Sequence, residues 1–100
     1  LYGSFHLILP YKNKKRKKIK VDVLGPICES GDFLGKDRYL SENIKAGDYL
    51  IIGSCGAYSF SMSSNYNSRR RPAEVIVNGE KEILIRKREN FSDLWKNEQI

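Results

Sequence analysis

Cysteine and histidine are scarce in this chain of 100 residues: Cys28, Cys55 and His6 are all there are. Two cysteines are too few for a disulfide scaffold or a four-ligand zinc site, their spacing is not that of a Cys-x-x-Cys pair, and so few thiols fit a reducing, cytoplasmic compartment. His6 has no second histidine or carboxylate at metal-ligand spacing, so packing beneath a strand is expected of it and no metal site is. Long apolar runs are missing as well. Nothing approaches the roughly 20 residues of a helical membrane span, and residues 1–9 lack both the charged start and the small-residue cleavage site of a signal peptide. No membrane partner is expected. There is no initiator methionine, and the strand-like Tyr2-Gly-Ser-Phe-His-Leu-Ile-Leu9 begins one residue in, so the chain is expected to start inside a longer protein.

Carboxylates are fewer than cations, twelve against eighteen, for a net charge of +6. Taken alone this would suggest an acidic partner such as nucleic acid. Seven of the eighteen cations, however, lie between Lys12 and Lys20, and without them the chain is close to neutral. The basicity is one local feature. With no stacking aromatic beyond Tyr11, that stretch reads as a solubilising loop. Length bounds the rest: residues 1–100 make one small domain. With 40% hydrophobic and 30% charged residues, its core is modest and would gain from a partner surface.

Residues 2–9 are rich in aromatic and aliphatic strand formers and stop at Pro10, which cannot donate a ladder hydrogen bond. Lys18 to Val23 alternate polar with apolar, the period of a strand with one wet face. The two read as an antiparallel hairpin with a long basic loop. Residues 25–38 hold Gly25, Pro26, Gly31 and Gly35 among polar residues and read as a loop. Ala46-Gly47-Asp48 turns the chain into the apolar Tyr49-Leu50-Ile51-Ile52. A second hairpin centres on Asn78-Gly79. A three-residue connection with Gly79 left-handed would put Val75, Val77, Ile83 and Ile85 on one face, and this bulged version is preferred. Asn90-Phe-Ser-Asp93 has the form of a helix start, with Phe91, Leu94 and Trp95 on one side. The predicted strands are therefore 2–9, 18–24, 48–53, 56–60, 73–78 and 81–87, with a helix at 91–97. The fold class is mostly β: an incomplete barrel or sandwich-like domain with a short C-terminal helix.

Two stretches break the logic of a packed core, as functional sites do. Gly25-Pro-Ile-Cys-Glu-Ser-Gly-Asp32 gathers a thiol, two carboxylates and a hydroxyl between glycines that permit close approach. Gly56-Ala-Tyr-Ser-Phe-Ser-Met62 flanks a phenol with small residues. A polar turn around a buried Cys28 and simple packing of Tyr58 are the plain readings of these stretches.

Five blocks, Tyr2-Gly-Ser-Phe-His6, residues 25–38, residues 56–62, Asn65-Tyr-Asn-Ser-Arg69 and Arg71-Pro-Ala-Glu-Val75, closely resemble the C-terminal part of the diaminopimelate decarboxylases in order and spacing. That family pairs an alanine-racemase-like barrel with a C-terminal β-domain, uses pyridoxal 5'-phosphate, and works as homodimers whose active sites are shared between subunits. The resemblance implies removal of CO2 from the D-configured centre of meso-diaminopimelate to give L-lysine. It gives Cys28 the role of proton donor to the carbon that loses CO2. A thiol, with a reference pKa of about 8.5, keeps a proton to give near neutrality. The resemblance also places Glu29 on the distal ammonium of the substrate, Tyr58 on the cofactor phosphate and the substrate, and Tyr2 on a substrate carboxylate. Asp32 is expected to cap turns in the loop, Arg69, Arg70 and Arg71 to be solvated or at a dimer contact, and Cys55 to be a small buried hydrophobe.

Arg70 stands where the family would have proline, and Gly53-Ser54-Cys55 departs from its usual residues. None of the eleven lysines sits in a cofactor-anchoring motif, so the chain alone is expected to be inactive. A sibling decarboxylase acting on ornithine, arginine or carboxynorspermidine is the nearest alternative, but such relatives tend to carry Asp where Glu29 stands. A basic β-barrel binding single-stranded nucleic acid, with Tyr58, Phe60 and Tyr66 stacking on bases, would leave the Cys28-Glu29 block unexplained. No nucleic-acid partner is therefore expected.

Overall fold

The computed structural model describes residues 3–12 and 16–99, and contacts divide the chain into two compact units, Leu1–Cys55 and Gly56–Ile100. The mostly β reading holds. Six strands form three separate two-stranded antiparallel ladders, and among the described residues these do not close into a barrel. No helix there is long and apolar enough to cross a membrane.

In the first unit β1 (Ile8–Pro10) pairs with β4 (Leu50–Ile52), and β2 (Lys18–Leu24) pairs with β3 (Phe33–Ser41). The expected hairpin of residues 2–9 with 18–24 is thus corrected: the basic stretch joins two different ladders. Pro10 is the last residue of β1, where its missing N–H costs nothing, and the N–H of Tyr11 resumes bonding to the Tyr49 carbonyl at 2.9 Å. Strand β3 lies in what reads as a loop because two irregularities spoil its period. Between the pairs Val21–Arg38 and Val23–Gly35, Asp22 faces two residues, Lys36 and Asp37. Asp37 takes a φ of 55°, its N–H donates to Asp22 Oδ1 at 2.8 Å, and its carboxylate meets Lys20 Nζ at 2.9 Å. A bulge of this kind hides alternation and bends the strand.

The core of this unit is small. Ile8 and Leu40 are the buried hydrophobic side chains among the described residues, 5% and 3% exposed. Ile8 is admitted by Gly35, itself buried: a Cβ there would stand 3.0 Å from Ile8 Cδ1 and 2.4 Å from Arg38 Nε. The Arg38 guanidinium lies over the Phe5 ring, 3.9 Å from its centroid. His6, half-buried, has Nδ1 2.9 Å from the Gly53 carbonyl oxygen. Cys55 is half-buried rather than a buried hydrophobe, with Sγ donating to the same carbonyl at 3.4 Å.

In the second unit the predicted strand at 56–60 is absent. Residues 56–62 form successive turns: the N–H of Met62 donates to the Tyr58 carbonyl at 2.9 Å, and the Ser61 and Ser63 hydroxyls donate back to the carbonyls of Tyr58 and Phe60. Serine side chains compete here for groups a ladder would need. A 3-10 turn, Tyr66–Ser68, follows, with Asn67 and Ser68 both at positive φ. Strands β5 (Glu74–Asn78) and β6 (Lys81–Arg86) form the second hairpin. Its register pairs Asn78 with Lys81, Ile76 with Ile83 and Val75 with Leu84. The connection is therefore the two residues Gly79-Glu80, with Gly79 left-handed at φ 63°, and the bulge lies at Glu74/Val75 instead of at the turn. Val75 and Ile83 fall on opposite faces, against the sequence reading. The helix α1 is shorter than expected, Ser92–Trp95, and opens with Asp93 Oδ2 accepting the Asn90 N–H at 2.8 Å.

Glu89 ties this unit together. Its Oε2 accepts from the Asn65 amide and the Arg71 N–H, each at 2.7 Å, and its own N–H donates to the Arg71 carbonyl. Arg70, in the place where proline was expected, lays its guanidinium 4.4 Å from the Phe91 centroid.

Two tests follow from these contacts. Gly35→Ala should lower stability by about 1–3 kcal/mol, the usual cost of overpacking, seen as a lower urea midpoint at unchanged slope. The Arg71 N–H first, and then the Asn65 amide and Arg71 charge, hold the Glu89 carboxyl below its ordinary value of 4.5 against the opposing effect of burial. Its contribution is thus complete above pH 4.5 and fades as the pH falls through the lower, folded value. The Arg71 amide resonance should titrate with a midpoint below 4.5 and lose that titration in Glu89→Gln; a midpoint at or above 4.5 would contradict the contact.

Candidate functional site

The loop between β2 and β3 carries Cys28 and Glu29, both exposed, at its tip. Its neck is closed by the Gly25 N–H donating to the Asp32 carbonyl at 2.8 Å, next to the last ladder pair, Leu24 with Phe33. Within the loop Asp32 Oδ2 accepts the Ile27 N–H at 2.8 Å, and the Asp32 N–H donates to the Glu29 carbonyl at 3.0 Å. The turn-capping role expected of Asp32 is the one it has. Gly25 leaves room for it: a Cβ at Gly25 would overlap the Asp32 carboxylate, 2.0 Å from Oδ2.

Glu29 folds back on its own loop. Its Oε1 accepts the Gly31 N–H at 2.9 Å and the Ser30 hydroxyl at 3.3 Å. All the contacts described for this carboxylate fall on Oε1. The Cys28-Glu29 pair thus puts a thiol and an anchored carboxylate side by side on an ordered, exposed loop. That combination suits delivery of a proton at one point and recognition of a cation at another.

Tyr58 belongs to the second unit. It lies in the turns of residues 56–62, 70% exposed, and not on a strand as the sequence suggested. An accessible phenol can donate to an anion such as a phosphate. Tyr2 lies outside the described residues. The structure therefore brings Cys28 and Glu29 together and describes Tyr58 in its own unit.

Comparison with known proteins gives this arrangement its context. Residues 1–56 match the family model described as pyridoxal-dependent decarboxylase, C-terminal sheet domain. The chain belongs to this family. Among similar proteins, the diaminopimelate decarboxylase of Haemophilus influenzae is 56% identical over 96 residues, 95% of this chain and 23% of that protein. The Aquifex aeolicus diaminopimelate decarboxylase is 52% identical over 91 residues, 91% of this chain and 21% of the relative. Among solved structures, diaminopimelate decarboxylase from M. jannaschii in complex with L-lysine matches with a TM-score of 0.90 at 39% identity, over 99% of this chain and 22% of that one. The chain thus spans less than a quarter of the length of these relatives.

Among the described residues, the exposed Tyr58 hydroxyl is a donor of the kind that a phosphate group accepts. Sequence reasoning found the loop but missed what shapes it. Gly25 carried a signal only as a permissive glycine, whereas its role is to seat the Asp32 carboxylate. The Asp37 bulge within β3 had one clue, an Asp, a residue type tolerant of positive φ.

Exposure sorts the two thiols. Iodoacetamide should alkylate Cys28 several times faster than the half-buried Cys55, measured by peptide mass spectrometry; equal rates would show that the tip of the loop is covered.

Proposed function

We propose that residues 1–100 are part of the C-terminal β-domain of a cytoplasmic diaminopimelate decarboxylase that uses pyridoxal 5'-phosphate, forms L-lysine and CO2, and acts as a homodimer with shared active sites. The observation that carries this reading is identity of 52–56% to diaminopimelate decarboxylases over more than nine-tenths of the chain, with Cys28 and Glu29 on an ordered, exposed loop.

When bound, the cofactor supplies the electron sink for decarboxylation. The residues of this chain do the rest of what concerns them here. Cys28 holds a proton on Sγ and gives it to the carbon that has lost CO2. Glu29, with Oε1 fixed by the Gly31 N–H, offers Oε2 to the distal ammonium of the substrate and so selects a diamino acid. Tyr58 donates from its hydroxyl to the phosphate, and Tyr2 binds a substrate carboxylate. The lysine that anchors the cofactor belongs to the part of the enzyme beyond these residues, so the chain by itself has no turnover.

Substitution in the full-length protein tests the division of labour. Cys28→Ala should lower kcat by about 100-fold to 10,000-fold, as loss of a general acid does, with cofactor binding intact. Glu29→Gln should instead raise KM for diaminopimelate markedly. Mixing Cys28→Ala protein with protein lacking the cofactor-anchoring lysine should restore activity through hybrid dimers. No recovery after verified subunit exchange would return Cys28 to its own chain's site.

A further inference from the structure

We infer that Asp32 is a positioning residue that sets where the Cys28 thiol and the Glu29 carboxylate stand, with Gly25 as its obligatory seat. The inference rests on the proposed decarboxylase reading and assigns to its site a residue that touches no reacting atom. Asp32 brackets the Cys28-Glu29 dipeptide from both sides. Its carboxylate takes the N–H of Ile27, the residue just before Cys28, at 2.8 Å. Its own N–H holds the carbonyl of Glu29 at 3.0 Å, and its carbonyl takes the Gly25 N–H at 2.8 Å. One residue thus fixes the backbone on entry to the dipeptide, on exit from it and at the neck of the loop.

No packed core does this work. Cys28, Glu29, Ser30 and Gly31 are exposed, and the buried hydrophobic side chains Ile8 and Leu40 belong to β1 and β3. Without the carboxylate, the half-buried Ile27 would lose the partner of its N–H and the tip would be free to reorganise. Proton transfer is sensitive to such displacement: misplacing a reacting group by about 1 Å can cost about 100-fold in rate.

The test uses the full-length protein loaded with pyridoxal phosphate, with turnover expressed per folded, cofactor-containing site. Asp32→Ala should lower kcat by roughly 10-fold to 100-fold and raise KM for diaminopimelate a few-fold, while the cofactor absorbance is retained. Asp32→Asn keeps an acceptor oxygen in nearly the same place and should recover most of the turnover. Gly25→Ala, which pushes the carboxylate out of its seat, should reproduce the Asp32→Ala defect. The Gly25→Ala/Asp32→Ala double variant should be no worse than either single, since both remove the same contact.

A purely structural role would lower the melting temperature and leave turnover per folded site unchanged, which would overturn the inference. So would an Asn variant as impaired as the Ala variant, which would mean that the charge itself meets the ligand. Additive losses in the double variant would also overturn it. If Asp32→Ala does not fold, the Asp32→Asn and Gly25→Ala pair decides: preserved turnover in the first and lost turnover in the second support the clasp, and any other pattern counts against it. Cys28→Ala run alongside separates the failures. Full turnover there removes the proton-donor reading and this inference with it. A loss there with normal Asp32→Ala turnover removes the inference alone.

Discussion

Very little of this chain is withdrawn from water, and that constraint shapes everything else about it. With Ile8 and Leu40 the buried hydrophobic side chains among the described residues, local geometry has to be fixed by backbone direction and polar contacts. At six places a carboxylate performs that task by accepting main-chain N–H groups: Asp22 at the β3 bulge, Glu29 and Asp32 in the β2–β3 loop, Asp48 in the turn before β4, Glu89 across the 65–71 segment, and Asp93 at the start of α1. Each is a charge-assisted bond of short reach, the kind that orders a segment without a core behind it. The first unit adds two steric devices, the admission of Ile8 by Gly35 and the seating of the Asp32 carboxylate by Gly25.

The same shortage explains the state of the β5–β6 hairpin. Its register puts the cross-strand pair Ile76–Ile83 on one face and Val75–Leu84 on the other, and all four side chains are about half exposed or more. A ribbon apolar on both faces is not a stable element by itself. Its sequence suits a position between two layers, and among the described residues the three open ladders likewise leave strand edges unpaired. The relatives it matches are more than four times as long as this chain, and the apolar surface here fits the proposed larger enzyme.

What the sequence showed and what it hid divide along physical lines. The terminal helix start, the left-handed Gly79 and the strand at Lys18 to Leu24 depend on neighbours within a few residues, and they were legible. Strand partners depend on the whole chain. Residues 2–9 and 18–24 looked like a hairpin because they are adjacent, whereas β2 found β3, whose two irregularities disguised it as a loop. The apolar content of Tyr58 and Phe60 suggested a strand at 56–60, but serine hydroxyls turning back on the main chain overrode it. At the site, the identities of Cys28 and Glu29 were readable as chemistry, while the clasp that holds them depends on a steric vacancy at Gly25, which no composition reveals.

A polar clasp also suits a loop that is to be presented to another surface. Fixing the backbone of a residue costs about 1–2 kcal/mol, so a flexible loop of the length of residues 25–32 would lose much of its binding energy to ordering at the moment of docking. An apolar staple could pre-order it only where a core exists to receive the staple, and among the described residues the buried hydrophobic side chains, Ile8 and Leu40, lie in β1 and β3. Asp32 orders the loop through hydrogen bonds that tolerate solvent, while Cys28 and Glu29 remain exposed and facing outward. The glycines follow from the same requirement. Gly25 gives the carboxylate its space, and Gly31, whose Cβ would lie 3.3 Å from Glu29 Oε1, lets that side chain fold back onto the main chain. The polar, glycine-rich composition that makes residues 25–32 look unfit for a protein core is therefore what allows a thiol and a carboxylate to be held in place, as the proposed shared site requires.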